Sequence, residues 1–155
     1  QTCALPISAL SSVSLSIVSE LKSGSAWYVP GGRSTIGRLF NDACGRYVFS
    51  EDKHSGSIPL AFETVFDKAG DADVWTIKYN RDRDMTYADL KADYTGYTGF
   101  KAFKTRNIYG CNTAKVPFYE ETPFRPDYLL ADLIQILHPE IGDLGGLRYF
   151  CKLNE

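Results

Sequence analysis

Hydrophobic and polar residues alternate with a period of two in several short runs of this chain. Residues 13–18 (Val-Ser-Leu-Ser-Ile-Val) show the alternation most clearly. Residues 47–49, 74–79 and 107–110 are further short hydrophobic runs, and polar or glycine-containing segments separate them. Patterns of this kind are typical of β-strands. The sequence therefore predicts four strands.

Between these runs, hydrophobic residues recur at the spacing of an α-helix. The spacing predicts helices over residues 34–45, 62–70, 86–94, 99–104 and 126–138. Ser34 and Thr86 are suited to cap the first and third helices, and Asp89 completes a weak capping-box pattern after Thr86. Pro126 suits the first position of the last helix, and Pro139 ends it.

Strands that alternate with helices indicate an α/β fold of three layers, with a mostly parallel central sheet of about four strands flanked by helices. Right-handed crossovers place the strand-to-helix loops along one edge of such a sheet. The loops predicted at that edge are rich in aromatic and polar residues, which favours a binding surface over a catalytic one. The residues concerned are Trp27, Tyr28, Ser55, Tyr79, Phe118 and Tyr119.

Composition and charge exclude several classes of function. The 155 residues and their 44% hydrophobic content suit one globular domain, which we expect to be a monomer. A net charge of −2 gives no electrostatic basis for nucleic-acid binding. The sequence contains no nucleophile-elbow, phosphate-loop or metal-ligand spacing, so we expect no catalytic residue, cofactor or metal site. The scattered cysteines leave the disulfide state of Cys44, Cys111 and Cys151 open.

Two sets of charged residues can be interpreted either as solvated surface charges or as functional residues. Lys78, Arg81 and Arg83 follow the third predicted strand and either form a solvated turn or capture an anionic ligand group. Glu63 lies in the first turn of the second predicted helix. A carboxylate there is favoured by the positive end of the helix and needs no function.

The N-terminal residues 1–7 read unlike the rest of the chain. Back-translation of Gln-Thr-Cys-Ala-Leu-Pro-Ile gives the sequence of a common high-throughput sequencing adapter. We interpret residues 1–7 as a non-native, adapter-derived segment fused to a truncated reading frame, with a native coil as the alternative. On this interpretation a signal segment and an N-terminal portion are missing.

Five blocks, in order, carry a resemblance to a known family. They begin with Trp-Tyr-Val-Pro-Gly-Gly-Arg-Ser and end with the last helix and its His-Pro terminus; they cover residues 27–34, 56–63, 71–77, 106–110 and 125–139. Residues 8–155 resemble the C-terminal lobe of substrate-binding proteins of cobalamin- and iron-siderophore-type ABC importers, most of all versions from Bacteroidetes. The resemblance implies two α/β lobes that hold the ligand between them, of which the N-terminal lobe is missing here.

The resemblance also implies roles for the candidate residues. Glu63 is expected to dock on arginines of the importer permease, although Ala61 replaces the usual Ser or Asp cap before it. The aromatic and polar edge residues named above, with Arg81 and Arg83, are expected to contact an iron-siderophore or cobalamin-like ligand. The implied location is the periplasm, or a membrane-anchored lipoprotein that faces it. The alternative is a small flavodoxin-like or chelatase-like enzyme domain.

Overall fold

The computed structural model of the chain describes residues 14–142 and 144–155. The adapter-like residues 1–7 lie outside this range. The strands are β1 (Ser16–Ser19), β2 (Lys22–Ser23), β3 (Ala26–Pro30), β4 (Arg46–Tyr47), β5 (Ser57–Leu60), β6 (Val74–Tyr79), β7 (Ile108–Asn112) and β8 (Cys151–Lys152). The α-helices are α1 (Thr35–Asp42), α2 (Phe62–Ala69), α3 (Tyr87–Asp93), α4 (Lys101–Lys104), α5 (Phe118–Glu121) and α6 (Pro126–Leu137). Two short 3-10 helices cover Thr95–Gly99 and Pro139–Ile141.

The main sheet has five strands in the order β4-β1-β6-β7-β8. β1 runs parallel to β4 and β6, and β6 runs parallel to β7, whereas β8 is antiparallel to β7. The predicted α/β fold with a mostly parallel sheet is therefore confirmed. The fifth strand was not predicted, because the two residues of β8 form no recognisable pattern.

A second, antiparallel sheet of three strands, β2-β3-β5, lies where the sequence predicted loops. Trp27 and Val29 are buried on one face of β3, and Tyr28 between them points outward. This alternation is a strand signal of only three residues, and the loop-forming residues around it obscure it. β5 is an edge strand and accommodates Pro59 opposite Tyr28.

The helices begin largely where the sequence placed them. The Ser34 hydroxyl accepts a hydrogen bond from the Gly37 amide at the start of α1. Thr86 and Asp89 form a complete capping box at α3, and α6 begins at Pro126. α5 lies between the last two predicted helices, where the hydrophobic spacing predicts none.

α1 and α6 cover the face of the main sheet that carries Thr76 and Lys78. Residues of both helices meet around Phe40 and Leu133. The Nε2 atom of buried His138, at the end of α6, lies 2.7 Å from the Ala43 carbonyl oxygen at the end of α1. This contact ties the two helices together at one end of the layer.

The opposite face of the main sheet is covered by a cluster of aromatic rings. Trp27 of the small sheet lies 5.6 Å from Trp75 of β6, 5.7 Å from Tyr97 and 5.6 Å from Phe100, between ring centroids. The Trp27 indole N–H donates to the Ser19 carbonyl oxygen at 3.1 Å. The cluster therefore joins the small sheet to the main one and satisfies the one polar atom of its central ring.

Two glycines allow the loop after β3 to lie directly against residues 50–56. The Gly31 amide donates to the Gly56 carbonyl oxygen at 2.9 Å. A Cβ atom on Gly31 would lie 2.2 Å from the His54 carbonyl oxygen, and one on Gly32 would lie 2.3 Å from that of Ser50. Backbone cannot move aside as a flexible side chain does, so neither position has room for a side chain.

We expect Gly31→Ala to destabilise the fold by about 2 kcal/mol or more, because the added methyl group forces two backbone segments apart. Gly56→Ala is the matched control, since a Cβ at Gly56 meets no atom within 4 Å. Urea unfolding of both variants measures the difference. Equal stability of the two variants would contradict this account of the loop contact.

Asp73, just before β6, holds β1 in place. Its carboxylate accepts hydrogen bonds from the Ser16 amide at 2.8 Å and the Ser16 hydroxyl at 2.9 Å, and lies 2.6 Å from Lys101 Nζ. Burial opposes ionisation, but Lys101 and Ser16 together outweigh it and lower the pKa of Asp73 below its ordinary value of 3.8.

This lowered pKa predicts a pH dependence of stability. Ionised Asp73 stabilises the fold at pH values above 3.8, and that contribution is lost as the pH falls through the lower pKa of the folded state. We expect the stability difference between the native chain and Asp73→Asn to be largest at neutral pH and to shrink in acid. Urea unfolding across an acidic pH series measures it, with exposed Asp71→Asn as the control. A difference that stays constant with pH would contradict the prediction.

Candidate functional site

The candidate site lies at the carboxyl ends of β1 and β6, two neighbouring strands of the main sheet. After β1, the next strand of the main sheet in sequence, β4, lies on one side of β1, whereas the later strands β6 and β7 lie on its other side. The strand order therefore reverses between β1 and β6. In open parallel sheets, ligands bind in the crevice beyond the carboxyl ends of strands at such a reversal.

An ion pair between Glu20 and Lys78 spans this reversal. Lys78 Nζ lies 2.8 Å from Glu20 Oε1, and each side chain is 20% exposed. The same ammonium group lies 5.1 Å from the ring centroid of Phe118 and 5.8 Å from that of Tyr119. Lys78 is therefore shared between one carboxylate and two aromatic rings.

The backbone of Glu20 is fixed in an uncommon conformation, with φ of 73°. Its amide donates to the Thr76 carbonyl oxygen at 2.9 Å, and its carbonyl oxygen accepts from the Trp75 indole N–H at 2.9 Å. A non-glycine residue adopts this left-handed conformation stably only where contacts with the surrounding structure hold its backbone there. The two hydrogen bonds to β6 stabilise this backbone conformation, from which the side chain reaches Lys78.

The surface around the ion pair is shallow. The cavity beneath it, lined mainly by apolar side chains of α1, α6 and the sheet, measures only about 10 Å³. Room for a single water molecule is the most that this volume provides. A ligand at this edge would therefore lie on the surface of the domain. A larger open groove of about 440 Å³, lined by Tyr87, Lys91, Arg106 and others, includes none of the predicted site residues.

The predicted ligand-contacting aromatics divide into exposed and buried groups. Tyr119 is 62% exposed beside Lys78, and Tyr28 is 50% exposed on β3. Phe118 is buried beneath the ion pair, and Tyr79 is buried with its hydroxyl oxygen accepting from the Met85 amide at 3.1 Å. Ser55, in the loop before β5, is exposed and does not line the cavity at the ion pair. Of the predicted set, the structure brings Phe118 and Tyr119 together with Lys78.

The prediction that Trp27 contacts the ligand is wrong. Its side chain is completely buried in the aromatic cluster between the two sheets. A side chain without accessible surface cannot contact a ligand in this conformation, so Trp27 is a core residue. The sequence placed it in a loop because the strand that buries it was not recognised.

Arg81 and Arg83 do not present free charges. Arg81 Nη2 lies 2.7 Å from Asp93 Oδ2, and Arg83 donates to both carboxylate oxygens of Asp89 at 2.7 Å. The Arg83 guanidinium holds the pKa of Asp89 well below its usual range. Both arginines are thus paired with carboxylates of α3.

Glu63 lies in the first turn of α2, as predicted, and its side chain is exposed. Ala61 occupies the N-cap position and makes no side-chain hydrogen bond to the helix. Among the described residues, Glu63 has no ion-pair partner within 4 Å. The carboxylate is therefore accessible to a partner molecule.

Other chemistry is not apparent in the described residues. None of them form a group of three or more His, Cys, Asp or Glu side chains able to hold a metal ion. Cys111 and Cys151 are free, and burial raises the pKa of the Cys111 thiol to about 12. In residues 14–142 and 144–155, every helix is too short or too polar to cross a lipid bilayer.

Sequence reasoning missed Glu20 as a member of the site. The only signal in the sequence is the position of Glu20 just after the first predicted strand. Its pairing with Lys78 depends on a backbone conformation that no local pattern indicates.

Comparison with known proteins places this geometry in context. The model of the periplasmic binding protein family matches residues 8–114. An uncharacterized lipoprotein of Methanocaldococcus jannaschii is 31% identical over 128 residues, which cover 82% of this chain and 30% of that protein.

Two solved structures share the fold. A TroA-like periplasmic binding protein, FepB, from Veillonella parvula has a TM-score of 0.68 at 15% identity over 95% of this chain and 51% of its own. An ABC-type Fe3+-hydroxamate transport system protein from Saccharomonospora viridis has a TM-score of 0.59 at 16% identity over 83% of this chain and 42% of its own. The chain thus spans about half the length of the first of these structures. Since the family model matches well over half of the residues, the chain belongs to the periplasmic binding protein family.

Proposed function

We propose that the chain is one lobe of the substrate-binding protein of an ABC importer for iron chelates, with iron-siderophores as the ligand class and cobalamin-type chelates as the second candidate. The observation that carries the proposal is a shallow edge with an exposed aromatic residue, Tyr119, at the strand reversal of a chain in this family. The solved structures with the same fold include a protein of an Fe3+-hydroxamate transport system and a substrate-binding protein of an iron-uptake ABC transporter.

The family is one of binding proteins, so the alternative of a flavodoxin-like or chelatase-like enzyme is set aside. The fold covers 51% of FepB from Veillonella parvula. That proportion supports the interpretation of the chain as one lobe of a two-lobed protein. That it is the C-terminal lobe, with an N-terminal lobe to complete the ligand site, remains a prediction. A surface that cannot enclose a ligand by itself is consistent with a ligand held between two lobes.

We place the protein outside the cytoplasm, in the periplasm or as a membrane-anchored lipoprotein. The support is the family description and the lipoprotein relative. In this position the partner is an importer permease, and the binding protein acts as a monomer. An origin in Bacteroidetes remains a prediction.

Ligand binding can be tested by calorimetry with the full-length protein that contains this lobe. The probes are a ferric trihydroxamate, a ferric triscatecholate, hemin and cyanocobalamin. We expect at least one of them to bind, and Tyr119→Ala to weaken that binding about tenfold, the equivalent of about 1.4 kcal/mol. Phe124→Ala is the control, because Phe124 is an exposed aromatic outside the predicted set. Failure of all four probes to bind would contradict the proposal.

We propose that exposed Glu63 docks on the permease. An exposed carboxylate opposite an arginine can form a bidentate contact, and such rim pairs align docking more than they add affinity. In reconstituted importer vesicles, we expect Glu63→Ala to reduce transport about tenfold while chelate affinity is unchanged. Glu51→Ala, another exposed carboxylate, is the control. Unchanged transport by Glu63→Ala would remove the docking role.

A further inference from the structure

The cations near the carboxyl ends of β6 and β7 are all paired with carboxylates of the same lobe. Among the residues that the structure describes, four cations lie near those ends, and each of them forms an ion pair. The pairs are Lys78–Glu20 at 2.8 Å, Arg81–Asp93 at 2.7 Å, Arg83–Asp89 at 2.7 Å and Lys115–Asp84 at 3.1 Å. Each of these four cations is therefore neutralised by a carboxylate of its own, and recognition of a strongly anionic ligand would have to break these pairs.

We infer that this edge accepts an iron chelate of low net charge, and that Glu20 sets this preference by neutralising Lys78. The inference rests on the proposed function and specifies its ligand. A neutral ferric trihydroxamate has the required charge, whereas a ferric triscatecholate is a trianion.

The Lys78–Glu20 pair is the one that a ligand at the strand reversal would meet. Its two side chains are each 20% exposed, whereas the side chain of Arg83 is 65% exposed. Ion pairs that are partly buried are screened less by salt and water than those on the open surface. An anionic ligand would therefore compete against a strong local pair.

The backbone of Glu20 is anchored to β6, and its side chain pairs with Lys78 Nζ at 2.8 Å. Its amide and carbonyl groups are both hydrogen-bonded to β6, to Thr76 and Trp75 respectively. An anionic ligand group that approached Lys78 would therefore face the Glu20 carboxylate at close range, and like charges at such distances repel. A neutral chelate meets no such repulsion.

The aromatic residues of this edge also favour an iron chelate of low net charge. Tyr119 lies above the ion pair with more than half of its surface exposed, and Phe118 forms the buried base beneath Lys78. An aromatic face contacts apolar chelate surface without requiring a countercharge.

The test compares a neutral ferric trihydroxamate, ferrichrome, with the trianionic ferric enterobactin in calorimetric titrations of the full-length protein. We expect the native protein to bind the neutral chelate at least about tenfold more tightly. Glu20→Gln keeps the size of the side chain and frees the charge of Lys78. We expect this variant to bind the trianion about tenfold more tightly than the native protein does, with little change for the neutral chelate.

Glu120→Gln is the matched control. Glu120 is an exposed residue of α5, so the substitution changes the net charge equally without releasing Lys78. We expect it to leave the ratio of the two affinities within about twofold, since isolated surface charges contribute little. Thermal unfolding of both variants shows whether they are folded.

A second measurement requires no variant. Binding of the neutral chelate by the native protein should change little as the salt concentration rises, because no net charge is neutralised. A native protein that prefers the trianion, or a Glu20→Gln variant with an unchanged affinity ratio, would overturn the inference while leaving the proposed function in place. Binding of neither chelate would instead overturn the inference and count against an iron-siderophore ligand.

Discussion

Replacement of Trp27 by alanine is expected to destabilise the domain by about 3–5 kcal/mol. The ring is completely buried and contacts Trp75, Tyr97 and Phe100, so its removal leaves a large cavity between the two sheets. It also removes the indole donor that satisfies the Ser19 carbonyl oxygen. Since folded domains are stable by only about 5–15 kcal/mol, much of the total stability would be lost.

Tyr28→Ala is the matched control for this prediction. Tyr28 is the next residue of the same strand, but its ring is half exposed on the opposite face. We expect its removal to change the unfolding free energy by about 0.5 kcal/mol or less. Urea unfolding followed by circular dichroism measures both variants. If both lost the same stability, Trp27 would not be the link between the sheets.

Replacement of Asp132 by alanine is the second substitution with a large expected effect. The carboxylate, buried in α6, accepts the backbone amides of Arg148, Tyr149 and Phe150 at 2.8, 2.8 and 3.1 Å. Alanine leaves these amides without an acceptor, at a cost of about 1 kcal/mol or more for each. We expect a loss of about 3 kcal/mol and faster hydrogen exchange at Tyr149 and Phe150.

Asp127→Ala on the same helix is the control for Asp132. Asp127 is exposed and pairs with Arg125 at the surface, so its removal should cost far less stability than that of Asp132. Hydrogen exchange monitored by NMR distinguishes local release of residues 148–150 from general destabilisation. Protected amides in a folded Asp132→Ala variant would contradict the anchoring role.

The elements that the sequence predicted correctly are those whose signals are local. α1, α3 and α6 have capping residues or a first-turn proline followed by a regular hydrophobic face, and β6 is a continuous hydrophobic run. β3 and β5 were missed because a strand that packs by one or two side chains shows little periodicity. β8 was missed because its two residues form no recognisable pattern, and the anchoring of the residues before it by Asp132 is a long-range contact that the sequence does not indicate.

The site was harder to predict than the fold, for a physical reason. The sequence indicated which loops meet at the carboxyl edge but not which side chains face outward, so Trp27 was placed at the surface. It also could not show that Arg81 and Arg83 pair with carboxylates of α3. Asp93 and Asp89 follow the two arginines in the sequence, but their spacing does not show whether ion pairs form. The role of Glu20 depends on a left-handed backbone that only the assembled sheet determines.

The pairing of strands that lie far apart in the sequence has a kinetic consequence. Ser16 and Asp73, which hold β1 beside β6, are 57 residues apart, and Cys151 meets β7 across 41 residues. Contacts this distant require large loops to close before they stabilise anything, so folding is expected in the range of about milliseconds to seconds. Until β8 is in place, one edge of β7 is unpaired and can join a strand of another chain. Slow synthesis at low temperature should therefore raise the yield of correctly folded protein.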